Sequence, residues 1–546
     1  IGKDSLLNNT TASYNIAMGY KTLETNTTGQ YHVAIGYEAL NANTTSEFNV
    51  GVGYQSLHKN TTGSYNVGVG NFVLRENITG QANSSIGYQS LYENTIGSFN
   101  VAMGYQSLNK NTTADFNTAI GYQAMYTNTT GQYNVGVGYH ALRYNTTGNY
   151  NVGIVYQALE DNTTGEHNVA IGYGCLRENT VGDKNTAIGY YALRKTTTGV
   201  KNVAIGYQAL VNNFTGRDNV AIGNDALTQN SHGYENIGIG SGPLYNNTTG
   251  YHNIAIGTGT MNANTTGIQN IAMGNESLRT NTVGIRNIAI GYAALYDNTT
   301  GSYNIGIGQG ALTNNTTGQF NIALGYQTLE DNTIGQYNVG LGYQALAQNI
   351  TGNSNVAVGY GALKQNTTGQ ENVALGINAM NLNTNGVSNI AIGASAMYSN
   401  TTGYRNLAIG KDALQQNVTG QNNIALGFET MKDSTGGDNC IVIGANAEPT
   451  TTTTSNEATI GDANITVLRT AGSILPFVDD SKDLGSASLR WANVYTGDIH
   501  LSNRGKQGGN KVDGTTGDWT IQEGDDSLYI LNNKNGKKYK FKLEEM

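Results

Sequence analysis

Residues 202–218 read N-V-A-I-G-Y-Q-A-L-V-N-N-F-T-G-R-D, and the seventeen before them, 185–201, read N-T-A-I-G-Y-Y-A-L-R-K-T-T-T-G-V-K. The pattern returns without insertion or deletion from Gly2 to Gly461, a span with 28 equivalent Gly positions of which only Val155 departs. With Asn202 as slot 1 and Asp218 as slot 17, the columns can be followed along the chain. A register held this long is what a solenoid requires, because one slip would turn every later core residue to the wrong face. Propeller blades and helical repeats are longer, and no helical period survives so many Gly and Asn corners. The fold class that follows is all-β: a parallel β-solenoid, or β-roll, of 17-residue coils. Stacked at about 4.8 Å per strand, 28 coils would extend roughly 130 Å.

Slot 1 is Asn from Asn15 and Asn49 to Asn423, with His32 the one exception among 25. Slot 12 is a second Asn column, running through Asn26, Asn60, Asn111 and Asn298 to Asn417 and broken by Thr196 and Ser434. Slot 15 is Gly except at Ala12, Ser46 and Ala114. Gly and Asn at fixed places mark corners whose backbone angles other residues resist. The two Asn columns are expected to form structural ladders, stacked amides bonding coil to coil.

Slots 2 and 4 are apolar, as at Val33 and Ile35 or Ile288 and Ile290, apart from Ser84, Thr118 and Thr186 at slot 2. This alternation of β-branched residues predicts a strand whose slots 2 and 4 face a core. Slot 3 stays small (Ala17, Ala34, Gly51, Ala204), so a close neighbour is expected there. That neighbour is either a second chain around a threefold axis or the interior of a narrow single-chain coil. Slot 9 is Leu or Met throughout, whereas slots 10, 11 and 16 vary freely and are expected to face water.

Many slot-12 Asn begin an Asn-x-Thr sequon, yet Ile96, Val181, Val283 and Ile334 replace the required Thr while the Asn stays. The column therefore selects Asn itself and β-branched shape beside it, more than a glycan acceptor. Slot 17 is aromatic at Tyr14, Tyr31, Tyr65, Tyr133 and Tyr150, and slot 6 is Tyr in many coils. Two readings stay open for these columns: stacked rings covering a corner, or an aromatic strip facing a receptor. Slot 17 turns charged from His167 through Lys184, Lys201, Asp218 and Glu235 to Arg286.

Composition narrows the function. Charged residues make up only 12% of the chain and the net charge is -9, so no basic surface is expected for nucleic acid. No apolar run reaches the roughly 18–20 residues of a membrane helix. Two Cys, Cys175 and Cys440, make neither a disulfide framework nor a metal motif. Scattered His, unpaired carboxylates and the absence of a nucleophile elbow or phosphate loop point away from an enzyme, and no cofactor or metal is expected.

After Gly461 the columns stop, and the only Trp residues, Trp491 and Trp519, appear. The reading divides the chain into a repeat shaft at 1–469, a transition β segment at 470–504 and a C-terminal β-hairpin module at 505–546. A Gly-rich linker is expected at 505–509. The hairpin turn is expected to end at Gly536, with Lys alternating against Tyr539, Phe541 and Leu543, so that one face is buried.

The N-x-A-I-G motif, as at Asn202 to Gly206, resembles the head repeats of trimeric autotransporter adhesins, although that family's repeat is shorter. This likeness, over 1–469, implies parallel β-rolls assembled as trimers. The tail is similar to C-terminal modules of phage and large-virus tail fibres through Arg490-Trp491, Asn493-Val494-Tyr495 and Trp519-Thr520-Ile521, over about 75 residues. Together they imply a homotrimeric adhesive fibre, extracellular or on a virion surface, whose partner is a cell-surface glycan or protein receptor and which neither binds nucleic acid nor inserts into membrane. The alternative is a secreted bacterial trimeric adhesin or extracellular matrix filament of the same fold.

Overall fold

The computed structural model describes residues 1–475, 484–486, 488–502 and 515–541. The 505–509 linker, Asp483, Asn503 and Leu543 lie outside the described residues. The chain divides into two units, Ile1–Asn464 and Ile465–Met546.

The first unit is a parallel β-solenoid. Each coil contributes one three-residue strand at slots 2–4, from β1 (Ile16–Met18) through β12 (Val203–Ile205) to β27 (Ala458–Ile460), in one 27-stranded sheet. Each strand pairs in parallel with the equivalent residues seventeen positions on, so Val203 opposes Val220 and Ala204 opposes Ala221. The rest of each coil is turn, tied to the next coil by backbone bonds such as Leu210 N–H to the Ala226 carbonyl at 2.9 Å.

The strand faces the opposite way from the alternation argument. Slot 3 points inward: Ala34, Ala204, Ala221 and Ala289 are fully buried within the single chain. Slots 2 and 4 point outward, and Ile35, Met103 and Ile290 remain 36–40% exposed. The interior also holds slot 8 (Ala209), slot 9 (Leu210) and the Asn of slots 1 and 12. Slot 3 is small because slot 9 of the preceding coil fills the space beside it: a Cβ placed on Gly51 would lie 3.3 Å from Leu40 Cγ, and one on Gly136 only 2.8 Å from Met125 Cγ. The close neighbour of slot 3 is therefore the Leu or Met of the preceding coil, within the same chain. Slot 10 also departs from expectation, since Glu160, Val211 and Thr228 are buried.

Two corner types appear. At slot 5 the backbone takes φ near +133°, as at Gly206, where a Cβ would meet the Gly223 carbonyl oxygen at 2.3 Å. Only Gly combines that angle with that approach. At slots 7, 9 and 17 ordinary side chains hold φ near +50 to +60°, as in Gln208, Leu210 and Asp218. Left-handed conformation costs about 1–2 kcal/mol per L-residue, so these corners persist through the coil-to-coil bonding that surrounds them.

In the second unit, β28 (Asp498–Ser502), β29 (Asp518–Gly524), β30 (Ser527–Asn532) and β31 (Lys538–Lys540) form an antiparallel sheet. The β30–β31 turn closes with Gly536 at φ 70° donating to the Asn532 carbonyl at 2.8 Å. Ile499, Ile521, Ile530 and Tyr539 lie in register across one face, beside Leu501 and Trp519. That face is open within the described residues: Leu501, Tyr539 and Phe541 are all exposed. The expected burial of one hairpin face is thus not supplied by this sheet alone.

Candidate functional site

The Asn columns are interior. Asn26, Asn60, Asn111 and Asn298 at slot 12 are fully buried, as is Asn49 at slot 1, while Asn15 in the first complete coil is half-buried. Where Asn follows Asn in slot 12, the side chain donates to the Oδ1 of its predecessor, with Nδ2 to Oδ1 distances of 3.2 Å for Asn60 to Asn43, 2.6 Å for Asn111 to Asn94 and 2.9 Å for Asn298 to Asn281. The same Nδ2 of Asn60 also donates to the Gly63 carbonyl at 2.9 Å. At slot 1, Asn49 Nδ2 reaches that same carbonyl at 2.9 Å, and its Oδ1 accepts the Asn66 N–H at 2.8 Å. Asn15 makes the equivalent bonds to the Gly29 carbonyl and the His32 N–H, both at 2.9 Å. An amide with both donors committed inside the coil is closed to a glycosylating enzyme once the coil has formed.

His32 occupies an Asn slot and imitates it. Its Nε2 bonds the Ser46 carbonyl at 2.8 Å and its Nδ1 accepts the Asn49 N–H at 3.2 Å. Both nitrogens are used by the neutral ring, and burial pushes its pKa below the usual range. Cys175 and Cys440 are buried free thiols, and burial pushes the Cys175 thiol up to about 11. Among the described residues no group of three His, Cys, Asp or Glu is placed to hold a metal ion. Among the described residues no helix is long and apolar enough to cross a membrane.

Slots 2 and 4 present two apolar columns along the 27-stranded sheet. At about 7 Å wide and about 125 Å long this is roughly 900 Å², beyond the roughly 300–600 Å² of the largest patch on a typical monomer. The aromatic columns lie beside it. In slot 17, Tyr14, Tyr31, Phe48 and Tyr65 stack at 4.8–5.1 Å with interplanar angles of 8° or less. Phe99, Phe116, Tyr133, Tyr150 and His167 form a second stack. Within a stack each ring's two faces cover one another, so Tyr31 and Tyr133 offer edges and hydroxyls to solvent. A free ring face exists only where a stack ends, as at Tyr14, Tyr65 and Tyr337.

Tyr337 ends a third stack, Tyr303–Phe320–Tyr337. Beyond it Ser354 takes the ring's place, and an open cleft of about 630 Å³ is lined by Tyr337, Gln336, Asn353, Ser354 and Thr317. Between the second and third stacks, slots 16 and 17 carry polar contacts instead: an Arg217–Asp218 ion pair at 3.2 Å, and His252 Nε2 beside the Glu235 carboxylate at 2.8 Å. At a slot-10 corner, His140 lies against the Tyr139 ring and bonds Glu160 at 3.0 Å, which in turn holds Arg177 at 2.9 Å. The sequence contained the signal for stack ends in the slot-17 substitutions, but which ring faces were free required the coil spacing.

No protein-family model matches the chain, and neither a curated protein nor a solved structure is similar to it.

Proposed function

We propose that the chain is the shaft and end module of a structural adhesive fibre, a viral tail fibre that binds a cell-surface receptor or glycan, extracellular or on a virion. The observation that carries this reading is the long outward face of slots 2 and 4, apolar but for Ser84, Thr118 and Thr186 in the regular coils. A face of that length in water favours association, because burying apolar surface yields about 25 cal/mol per Å². Closed symmetric assemblies are the common outcome, and a homotrimer around the slot-2 and slot-4 columns leaves the aromatic and polar columns outside for a receptor. The partly exposed apolar face of the tail sheet supports the same need for a partner copy. A secreted bacterial trimeric adhesin or matrix filament would use the shaft identically.

Sedimentation equilibrium tests the assembly. Three times the 57.9 kDa chain mass is expected for the native protein, and the triple change Ile205→Lys, Ile222→Lys, Ile290→Lys should yield monomer, whereas Lys at slot-14 Thr215, Thr249 and Thr300 should not. A monomeric native chain would refute the trimer. Attachment of labelled fibre to a panel of cells tests the adhesive role, and its absence on every surface would refute that role.

A further inference from the structure

The slot-17 stack is interrupted once between Tyr14 and His167, at Ala82. Tyr65 stacks on Phe48 at 5.1 Å and Phe99 stacks on Phe116 at 5.0 Å, but no ring lies between Tyr65 and Phe99. The backbone does not change there: φ is 62° at Tyr65, 53° at Ala82 and 60° at Phe99. Bonds from Ala82 N–H to the Ser64 carbonyl at 3.0 Å and from Phe99 N–H to the Gln81 carbonyl at 2.9 Å keep the coils in step. One ring is missing from an intact ladder, leaving two facing rings two coil spacings apart, about 10 Å. The bounding rings are correspondingly more exposed, Tyr65 at 58% and Phe99 at 53%, than Phe48 at 40% and Phe116 at 44% inside the stacks.

The neighbouring ladder treats the same defect differently. Slot 6 lacks a ring at Asn71, between Tyr54 and Tyr88, yet Phe72 fills the space edge-on, 5.1 Å from Tyr54 and 6.1 Å from Tyr88. At Ala82 no ring of the described residues fills the gap. The edge is also polar. Gln81 precedes Ala82 in the same coil, exposed and bonding through its side chain to no other described residue.

We infer that the gap between Tyr65 and Phe99 is a binding slot for a single hexopyranose ring of a cell-surface glycan, which rests on the adhesive reading above and names its ligand class. A ring inserted midway lies about 5 Å from each aromatic centroid, within the distances at which rings stack. A pyranose has two C–H faces and a perimeter of hydroxyls. Its faces meet Tyr65 and Phe99, and its perimeter meets the Gln81 amide. An aromatic side chain would fill the same thickness but leave that amide without a partner at its rim.

The test is saturation-transfer NMR and calorimetric titration of the full chain with methyl β-glucopyranoside, methyl β-galactopyranoside and methyl N-acetyl-β-glucosaminide, and with N-acetyltyrosinamide as the aromatic probe. At least one glycoside should bind, and Ala82→Tyr, which completes the ladder on backbone that already carries Tyr one coil away, should weaken it at least about tenfold with unfolding temperature unchanged or raised. Gln81→Ala should weaken it severalfold, and it holds the test open should Ala82→Tyr fail to fold. Binding of no glycoside, equal binding by the variants, or binding of N-acetyltyrosinamide alone would overturn the slot. Cell attachment is scored separately. A wild-type fibre that attaches while glycoside binding ignores these variants overturns the slot and leaves the adhesive role standing; a fibre that attaches to nothing removes the adhesive role itself.

Discussion

The Asn304 N–H donates to the Oδ1 of Asn287, one coil earlier, at 3.0 Å, while the Asn287 Nδ2 donates to the Gly301 carbonyl of its own coil at 2.9 Å. Both side chains are fully buried. One amide therefore closes its coil and sets the height of the next, which explains why Asn is retained where most positions vary.

Replacing Asn287 by Ala should leave the Asn304 N–H buried without a partner, at a cost of about 1–3 kcal/mol. Asn287→Asp should cost at least as much at neutral pH, because a buried carboxylate would face the Gly301 carbonyl. Chemical denaturation, with hydrogen exchange at Asn304 as the local reading, checks the order. Wild-type stability in both variants would contradict the ladder's role.

Deleting one whole coil, residues 202–218, should leave a folded solenoid shorter by about 4.8 Å. Deleting only 206–210 from the same coil moves Asn213 and every later inward residue out of register and should lower the unfolding temperature sharply. Circular dichroism melts and small-angle scattering distinguish the two; equal melts would contradict one coil per repeat.

Burial lowers the pKa of His32, so the folded chain takes up its proton less readily than the unfolded chain. Stability is then complete above the ordinary imidazole pKa of about 6.5 and declines as the pH falls through and below it. His58 and His140 are lowered for the same first reason, burial, and contribute in the same direction. His32→Asn restores the column and should reduce the stability lost between pH 7.5 and pH 5, measured by denaturant midpoints. An unchanged pH dependence would dissociate it from this ring.

Val155 sits at φ 89° where its column otherwise carries Gly. A β-branched residue with positive φ is strained, so Val155→Gly should raise stability by about 1 kcal/mol. Gly206→Val should lower it by more, because its Cβ would enter the Gly223 carbonyl at 2.3 Å. Paired denaturation curves decide, and stabilisation by both changes is the result that contradicts the corner geometry.

The sequence by itself determined the solenoid, its seventeen-residue period and its end near Gly461, because an error in register is cumulative and period survives in the letters. It also marked the Gly corners of slot 5, where φ and a close carbonyl disfavour every other residue and only Val155 departs. Only the tertiary structure decided which side of the strand is inside. Val203 and Ile205 alternate with Ala204, and alternation shows that two faces differ without saying which one is enclosed. The answer came from Leu210 and its equivalents, which fill so much of a seventeen-residue coil that Ala or Gly stands beside nearly all of them, with Ser85 and Val442 the buried exceptions. The large apolar residues are thereby turned outward, available to a neighbouring chain. Replacing Ala204, Ala221 and Ala289 by Gln consequently tests the coil's interior and says nothing of a seam. The aromatic columns follow the same rule: Tyr65, Ala82 and Phe99 are legible as letters, but a gap one ring thick exists only once the coils are stacked at a fixed spacing.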